Sequence, residues 1–111
     1  MQMEDFKKFI DEQDALLRTT KHAGLSHREL VLTRTTKIME EFGELCDEVL
    51  GSLGDQRAGK MEGKSSEDLA DEFADVAITT FLLAKTMDIN VMEALACKTE
   101  KIKAKHNQEL S

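Results

Sequence analysis

The chain has little with which to build a β-sheet protein. Among its 111 residues there is no proline, no tryptophan and no tyrosine, and its 6 glycines lie mainly in one short segment. Alanine, leucine, glutamate, lysine and methionine are plentiful, and these residues favour helices. Hydrophobic residues make up 41% of the chain, enough for one small core. The sequence predicts a single all-α domain over residues 1–111, with a glycine-rich loop at about 51–65.

Three further absences exclude other classes of protein. No run of about 18 apolar residues exists, and Glu4 and Asp5 fall where a signal peptide would be apolar. We therefore expect a cytoplasmic protein with no membrane partner. The two cysteines, Cys46 and Cys97, form no zinc-type cluster, so we expect two buried free thiols. The net charge of -7 disfavours binding to a phosphate backbone, so no nucleic-acid partner is expected.

Capping signals and apolar periodicity divide the chain into four predicted helices. Capping boxes begin at Ser26, Ser65 and Asn90, and Gly51 is predicted to follow the end of the second helix. The predicted helices cover about residues 3–21, 26–50, 65–87 and 90–106.

The second half of the third predicted helix is apolar nearly all the way round. A small isolated bundle cannot bury a helix on every side, because only one face of each helix points to the core. The apolar residues are Val76, Ala77, Ile78, Phe81, Leu82 and Leu83. The pattern predicts a homo-oligomer, a dimer or a tetramer, whose interface uses this helix.

Acidic residues are concentrated in residues 39–75, which hold 12 acids against three bases. On the second helix Glu41, Glu44 and Glu48 fall within roughly 60° of one another, beside the apolar face. On the third helix Glu72 and Asp75 border the apolar face in the same way. Two acidic stripes that flank two core faces should meet when the helices pack.

Such a cluster of carboxylates has two interpretations. Acidic helix faces are often only solvated surface. Carboxylates that lie close together at low effective dielectric repel one another, however, and a divalent cation removes that repulsion. Mg²⁺ in particular is held by a few carboxylates together with waters and substrate phosphates. An open carboxylate site therefore favours phosphate chemistry.

The acidic residues also form two recognisable motifs. The run Glu40-Glu41-Phe42-Gly43-Glu44, followed by Glu72-Phe73-Ala74-Asp75, resembles the EExxE and ExxD motifs of MazG-like all-α nucleoside triphosphate pyrophosphohydrolases. The resemblance covers about residues 37–105 and rests on the motif pair, the length of the loop between them and the apolar helix that follows. Either motif alone would be common by chance.

The resemblance implies a four-helix fold, a dimer or a dimer of dimers, and dependence on Mg²⁺, with Mn²⁺ as a substitute. It implies cleavage of an NTP or dNTP between the α and β phosphates, giving a monophosphate and pyrophosphate, with sanitation of the nucleotide pool as an expected role. The implied metal ligands are Glu41, Glu44, Glu72 and Asp75. The general base stays open between Glu40, which belongs to the family motif, and Glu48, which lies on the ligand stripe.

A triphosphate also needs cations from the protein. Arg34 and Lys37 lie on the same helical face as Glu41, although ion pairing with the acids would equally explain them. Arg57 and Lys60 lie in the glycine-rich loop, and similar proteins carry a lysine near the position of Lys98. These five residues are the candidate substrate-binding cations.

Two other functions compete with this interpretation. A phosphoribosyl-ATP pyrophosphatase belongs to the same superfamily and would use the same carboxylates. A non-catalytic helical oligomer, such as a regulatory partner protein, would need no metal and would gain no stability from Mg²⁺.

Overall fold

The structure is a computed structural model that describes residues 1–54 and 66–110. These residues form four helices and no strand: α1 (Met3–Thr19), α2 (His27–Ser52), α3 (Ser66–Thr86) and α4 (Val91–Leu110). The predicted all-α fold is confirmed. The observed helices begin and end within a few residues of the predicted bounds, with α4 extending four residues beyond His106.

Two of the predicted helix starts are present as side-chain caps. The Glu29 amide donates to Ser26 Oγ at 3.1 Å, and the Ser26 amide donates back to the Glu29 carboxylate at 2.9 Å. At the start of α4 the Glu93 amide donates to Asn90 Oδ1 at 3.0 Å. Each cap satisfies an amide that has no partner inside the helix. The predicted cap at Ser65 lies outside the described residues.

The predicted end of α2 is two residues short. The helix continues through Gly51 to Ser52, and Gly54, not Gly51, adopts the left-handed conformation, with φ of 76°. The Gly54 amide donates to the Gly51 carbonyl at 3.0 Å. Both glycines can adopt positive φ, so composition alone does not distinguish them.

The core of the described chain is small. α2 packs along α3, and α1 packs on α3, where the Phe6 and Phe81 rings meet edge to face at 4.8 Å. Among the described residues the buried hydrophobic side chains are Ile10, Leu30 and Leu82. No residue of α4 is buried.

A buried polar network joins the first three helices. Arg34 on α2 is 2% exposed, and its guanidinium donates hydrogen bonds to Asp14 on α1 and to Thr86 Oγ on α3. Arg18 also donates to Asp14, at 3.0 Å. These contacts fix the lateral positions of the helices, because a buried charge needs its partner in a defined place.

The two cysteines are more exposed than their sequence pattern predicts, and most of the apolar residues of α3 are not buried. Cys46 and Cys97 are free thiols as predicted, but both are exposed, because they lie on helix faces that no other described element covers. Of the six apolar residues named on α3, only Leu82 is buried. None of the described helices is long and apolar enough to span a membrane.

Candidate metal centre

The structure brings together three of the four predicted metal ligands. Glu41 on α2 and Glu72 and Asp75 on α3 each offer one carboxylate oxygen, and these oxygens all lie within 4.8 Å of one another. Glu72 and Asp75 are three positions apart and thus share one face of α3. Because α2 and α3 pack side by side, that face meets the one that carries Glu41. These three residues are called the carboxylate cluster below.

Two oxygens of the carboxylate cluster lack partners within the described part of the chain. Glu41 is 7% exposed, and its Oε2 atom is buried with no hydrogen bond. Glu72 Oε2 is buried and unpartnered in the same way. A buried carboxylate oxygen without a partner is unfavourable, since it has lost its hydration. The donor set consists only of carboxylate oxygens, which are the ligands that hard divalent cations prefer, and it therefore fits such an ion.

The electrostatics of the cluster agree with its geometry. Burial raises the pKa of Glu72, and the negative charges of Glu44, Asp75 and Glu41 raise it further. Burial also raises the pKa of Asp75, and the charges of Glu41 and Asp71 add to that effect. Both carboxylates are therefore held beside an excess of negative charge, which a bound cation would offset.

The fourth predicted ligand, Glu44, lies at the edge of the cluster. Its side chain is exposed and does not belong to the carboxylate cluster. Among the neighbouring negative charges, however, that of Glu44 raises the pKa of Glu72 the most. The two candidate bases differ in burial. Glu48 is buried and its charge also acts on Glu72, whereas Glu40 is exposed and pairs with Lys37.

A cavity of about 550 Å³ lies between α1, α2 and α3. Its wall includes Lys37 and Glu40, the neighbours of Glu41, and Thr79, one turn after Asp75, so the cavity adjoins the carboxylate cluster. Its apolar lining comes from Leu17, Ile78 and Leu82, and its polar lining from Gln13, Lys21, His22, Thr33, Arg34 and Thr36.

The predicted cations have different surroundings. Lys37 Nζ lies 3.2 Å from Glu41 Oε1, beside the cluster and on the cavity wall. Arg34 also lines the cavity, but its charge is already paired with Asp14. Lys98 is exposed on α4, and no hydrogen bond or ion pair joins it to another described residue. Arg57 and Lys60 lie outside the described residues.

Two residues near the cavity were missed from the sequence. Asp14 is buried against Arg34, and His22 accepts a hydrogen bond from Arg34 Nε at 3.5 Å through Nδ1. The burial of Asp14 could have been predicted from the sequence, because Asp14 lies on the same helical stripe as the apolar residues Ile10 and Leu17. An acid at such a core position needs a cationic partner. His22 carried no signal, since its contact depends on how α1 and α2 pack.

Comparison with known protein families identifies the domain to which most of the chain belongs. Residues 29–110 match the MazG nucleotide pyrophosphohydrolase domain, which covers α2, α3, α4 and the segment between α2 and α3. The chain belongs to this family, and the resemblance read from the two acidic motifs is confirmed. Comparison with curated proteins and with solved structures gave no significant match. Members of the family generally depend on a divalent metal, and the chain is consistent with a nucleotide substrate.

Proposed function

We propose that this protein hydrolyses a nucleoside or deoxynucleoside triphosphate to the monophosphate and pyrophosphate. The observation that supports this most directly is the carboxylate cluster with its two buried, unpartnered oxygens. Glu41, Glu72 and Asp75 would hold Mg²⁺ or Mn²⁺, with Glu44 as a further ligand from the exposed edge. When bound, the ion would offset phosphate charge and make a water molecule more acidic.

The cavity beside the cluster is suited to the nucleoside. Its volume of about 550 Å³ lies within the range of small-molecule sites. Leu17, Ile78 and Leu82 offer aliphatic surface to a base, and none of the five phenylalanines lines this cavity. With the base at this wall, the phosphates would extend past Lys37 toward the carboxylate cluster.

A general base is needed to accept a proton from the attacking water. Glu48 is favoured by its burial and by its electrostatic effect on Glu72. The Glu40 side chain is 57% exposed, and Glu40 is not among the charges that raise the pKa of Glu72. We therefore assign the role to Glu48 and expect Glu48→Gln to reduce kcat far more than Glu40→Gln does.

The activity is tested with a panel of NTPs and dNTPs and Mg²⁺, measuring pyrophosphate and monophosphate separately. Glu41→Gln and Asp75→Asn should each reduce turnover by about 100-fold or more, because each removes a charged ligand. Glu67→Gln, which changes an exposed acid on the same helix as Asp75, serves as the matched control. Release of orthophosphate without pyrophosphate would refute the proposal.

The same panel distinguishes the two competing functions. Hydrolysis of phosphoribosyl-ATP with none of free triphosphates would make the protein a phosphoribosyl-ATP pyrophosphatase. Absence of any hydrolysis, together with a melting temperature that does not respond to Mg²⁺, would favour a non-catalytic helical oligomer.

We also propose that a second copy of the chain covers the exposed apolar faces. The large side chains there include Met39 at 70%, Phe42 at 56%, Phe73 at 57% and Ile102 at 57% exposure. The three buried aliphatic residues of the described part of the chain form too small a core for a stable monomer, and a second copy offers the same apolar chemistry in return. Light scattering should give a dimer or tetramer, and Phe42→Glu should yield monomer; a monomeric wild type would refute this.

A further inference from the structure

Lys37 links the carboxylate cluster to the cavity. It lies one helical turn before Glu41 on α2, and its ammonium is 3.2 Å from Glu41 Oε1 and 3.4 Å from Glu40 Oε2. Its positive charge also acts on Asp75, whose pKa it lowers against the effects of burial and of Glu41. Lys37 is therefore a local counter-ion for carboxylates on both α2 and α3.

The two partners of this ion pair differ in exposure. The Glu41 side chain is 9% exposed, whereas the Lys37 side chain is 55% exposed. Because the ammonium end of this pair is in contact with water, its charge is partly screened, and a lysine side chain reorients easily on its four-carbon stem. A divalent cation at the cluster, with twice the charge and no side chain to order, can displace this ammonium from Glu41.

Once displaced from Glu41, the Lys37 ammonium could interact with a ligand in the cavity. It lines the cavity together with Thr33 and Thr36, on the side where the phosphates of a bound nucleotide would approach the cluster. Its stem is anchored on α2, so the ammonium stays within one side-chain length of Glu41. The same group can thus contact a carboxylate in one state and a phosphate in the other.

We propose that Lys37 is a placeholder cation, which neutralises Glu41 until a divalent metal binds and then turns to the phosphates of the substrate. This inference rests on the proposed function. The proposal predicts that Lys37 has opposite effects on the affinity for metal and on the affinity for nucleotide. Lys37 weakens binding of the metal, by occupying Glu41 and repelling the incoming cation, and it strengthens binding of the nucleotide. A lysine that only stabilised α2 would affect neither affinity.

The test measures Mn²⁺ affinity without nucleotide, by titration calorimetry or by the paramagnetic resonance signal of free Mn²⁺. Lys37→Met should bind Mn²⁺ roughly 3- to 10-fold more tightly than the wild type, because a like charge beside the ion is removed. Lys37→Arg, which restores the charge, should return to within about twofold of the wild type. Lys8→Met is the matched control, since Lys8 pairs with Glu12 at the same i, i+4 spacing on α1.

The second measurement is binding of an α,β-methylene triphosphate analogue at saturating Mn²⁺. Lys37→Met should weaken it roughly 5- to 30-fold, and Lys8→Met should leave it unchanged. Circular dichroism checks that each variant is folded, and Lys37→Gln gives an independent neutral replacement. Unchanged or weaker Mn²⁺ binding in both neutral variants would overturn the inference while leaving the metal site intact. A wild type that binds no Mn²⁺ would overturn the proposed function as well.

Discussion

Arg34 and Thr86 lie 52 positions apart in sequence, and the guanidinium of the first donates a hydrogen bond to the hydroxyl of the second at 2.7 Å. The same nitrogen also donates to Asp14, so one side chain of α2 joins α3 to α1. Only three aliphatic side chains are buried among residues 1–54 and 66–110, so this polar contact is one of the few buried contacts that join these helices. Arg34 also lines the cavity, which connects this network to the site.

Removal of Asp14 should therefore be strongly destabilising. Asp14→Ala leaves the buried guanidinium of Arg34 without its counter-charge, which we expect to lower the free energy of unfolding by about 3 kcal/mol. Arg18→Ala removes only the partner that is 47% exposed and should lower it by less than about 1 kcal/mol. Urea denaturation of both variants measures the difference, and equal losses would contradict the special role of the buried pair.

Protonation of His22 should weaken the fold in mild acid. Burial lowers the pKa of His22 below 6.5, and the positive charges of Arg34 and Lys21 lower it further. As the pH falls below 6.5, the unfolded chain takes up this proton before the folded chain does, so stability decreases. The decrease is complete once the pH is below the folded pKa.

His22→Gln isolates this effect from other titrating groups. The variant should show a flatter dependence of the urea midpoint on pH between about pH 5 and pH 7 than the wild type does. Glu72 and Asp75, whose raised pKa values act in the opposite direction, are present in both proteins and cancel in the comparison. A parallel dependence in the two proteins would show that His22 is not coupled to folding.

Neutralising Glu72 should stabilise the metal-free protein. Because the pKa of Glu72 is raised in the folded chain, its charge opposes folding at neutral pH, and this penalty is relieved as the pH falls through the folded pKa. Glu72→Gln should therefore raise the melting temperature without metal by roughly 2–6 °C. It should also remove most of the further rise that Mg²⁺ gives the wild type.

Glu67→Gln is again the control, because it removes a charge from α3 outside the cluster. It should leave the response to Mg²⁺ as large as in the wild type. If Glu72→Gln lowers the melting temperature instead, the repulsion among these carboxylates is already compensated by other groups.

Asp88 connects α3 to α4 in an unusual backbone conformation, with φ of 56°. Residues with a branched Cβ are strained there, so Asp88→Val should lower the free energy of unfolding by about 1–2 kcal/mol. Asp88→Gly should be neutral or stabilising, since glycine adopts positive φ without steric strain. Chemical denaturation of the two variants gives the order, and a valine variant as stable as the glycine variant would argue against a left-handed conformation.

The features that could be predicted from sequence are those set by local spacing. The caps at Ser26 and Asn90 depend on residues three positions away, and the meeting of Glu41 with Glu72 follows from stripes that border two packed faces. Helical periodicity alone gives such information.

The features that could not be predicted depend on how the helices are arranged. The spacing of Arg34 and Lys37 put both on the face of Glu41, yet Arg34 pairs with Asp14, a contact that only the packing of α1 creates. The exposure of Cys46 and Cys97 has the same origin, since a small apolar side chain is buried only if another element covers its face. Neither the Arg34–Asp14 ion pair nor the exposure of the two cysteines can be read from the periodicity of the sequence.

The lack of any buried residue in α4 has a consequence for hydrogen exchange. Helices in proteins owe most of their stability to tertiary packing and little to propensity, so the amides of α4 should exchange through local fraying and not through global unfolding. Slow exchange in this helix would then report on whatever covers Leu95 and Ile102, and its protection factors would rise with protein concentration if that cover is a second chain.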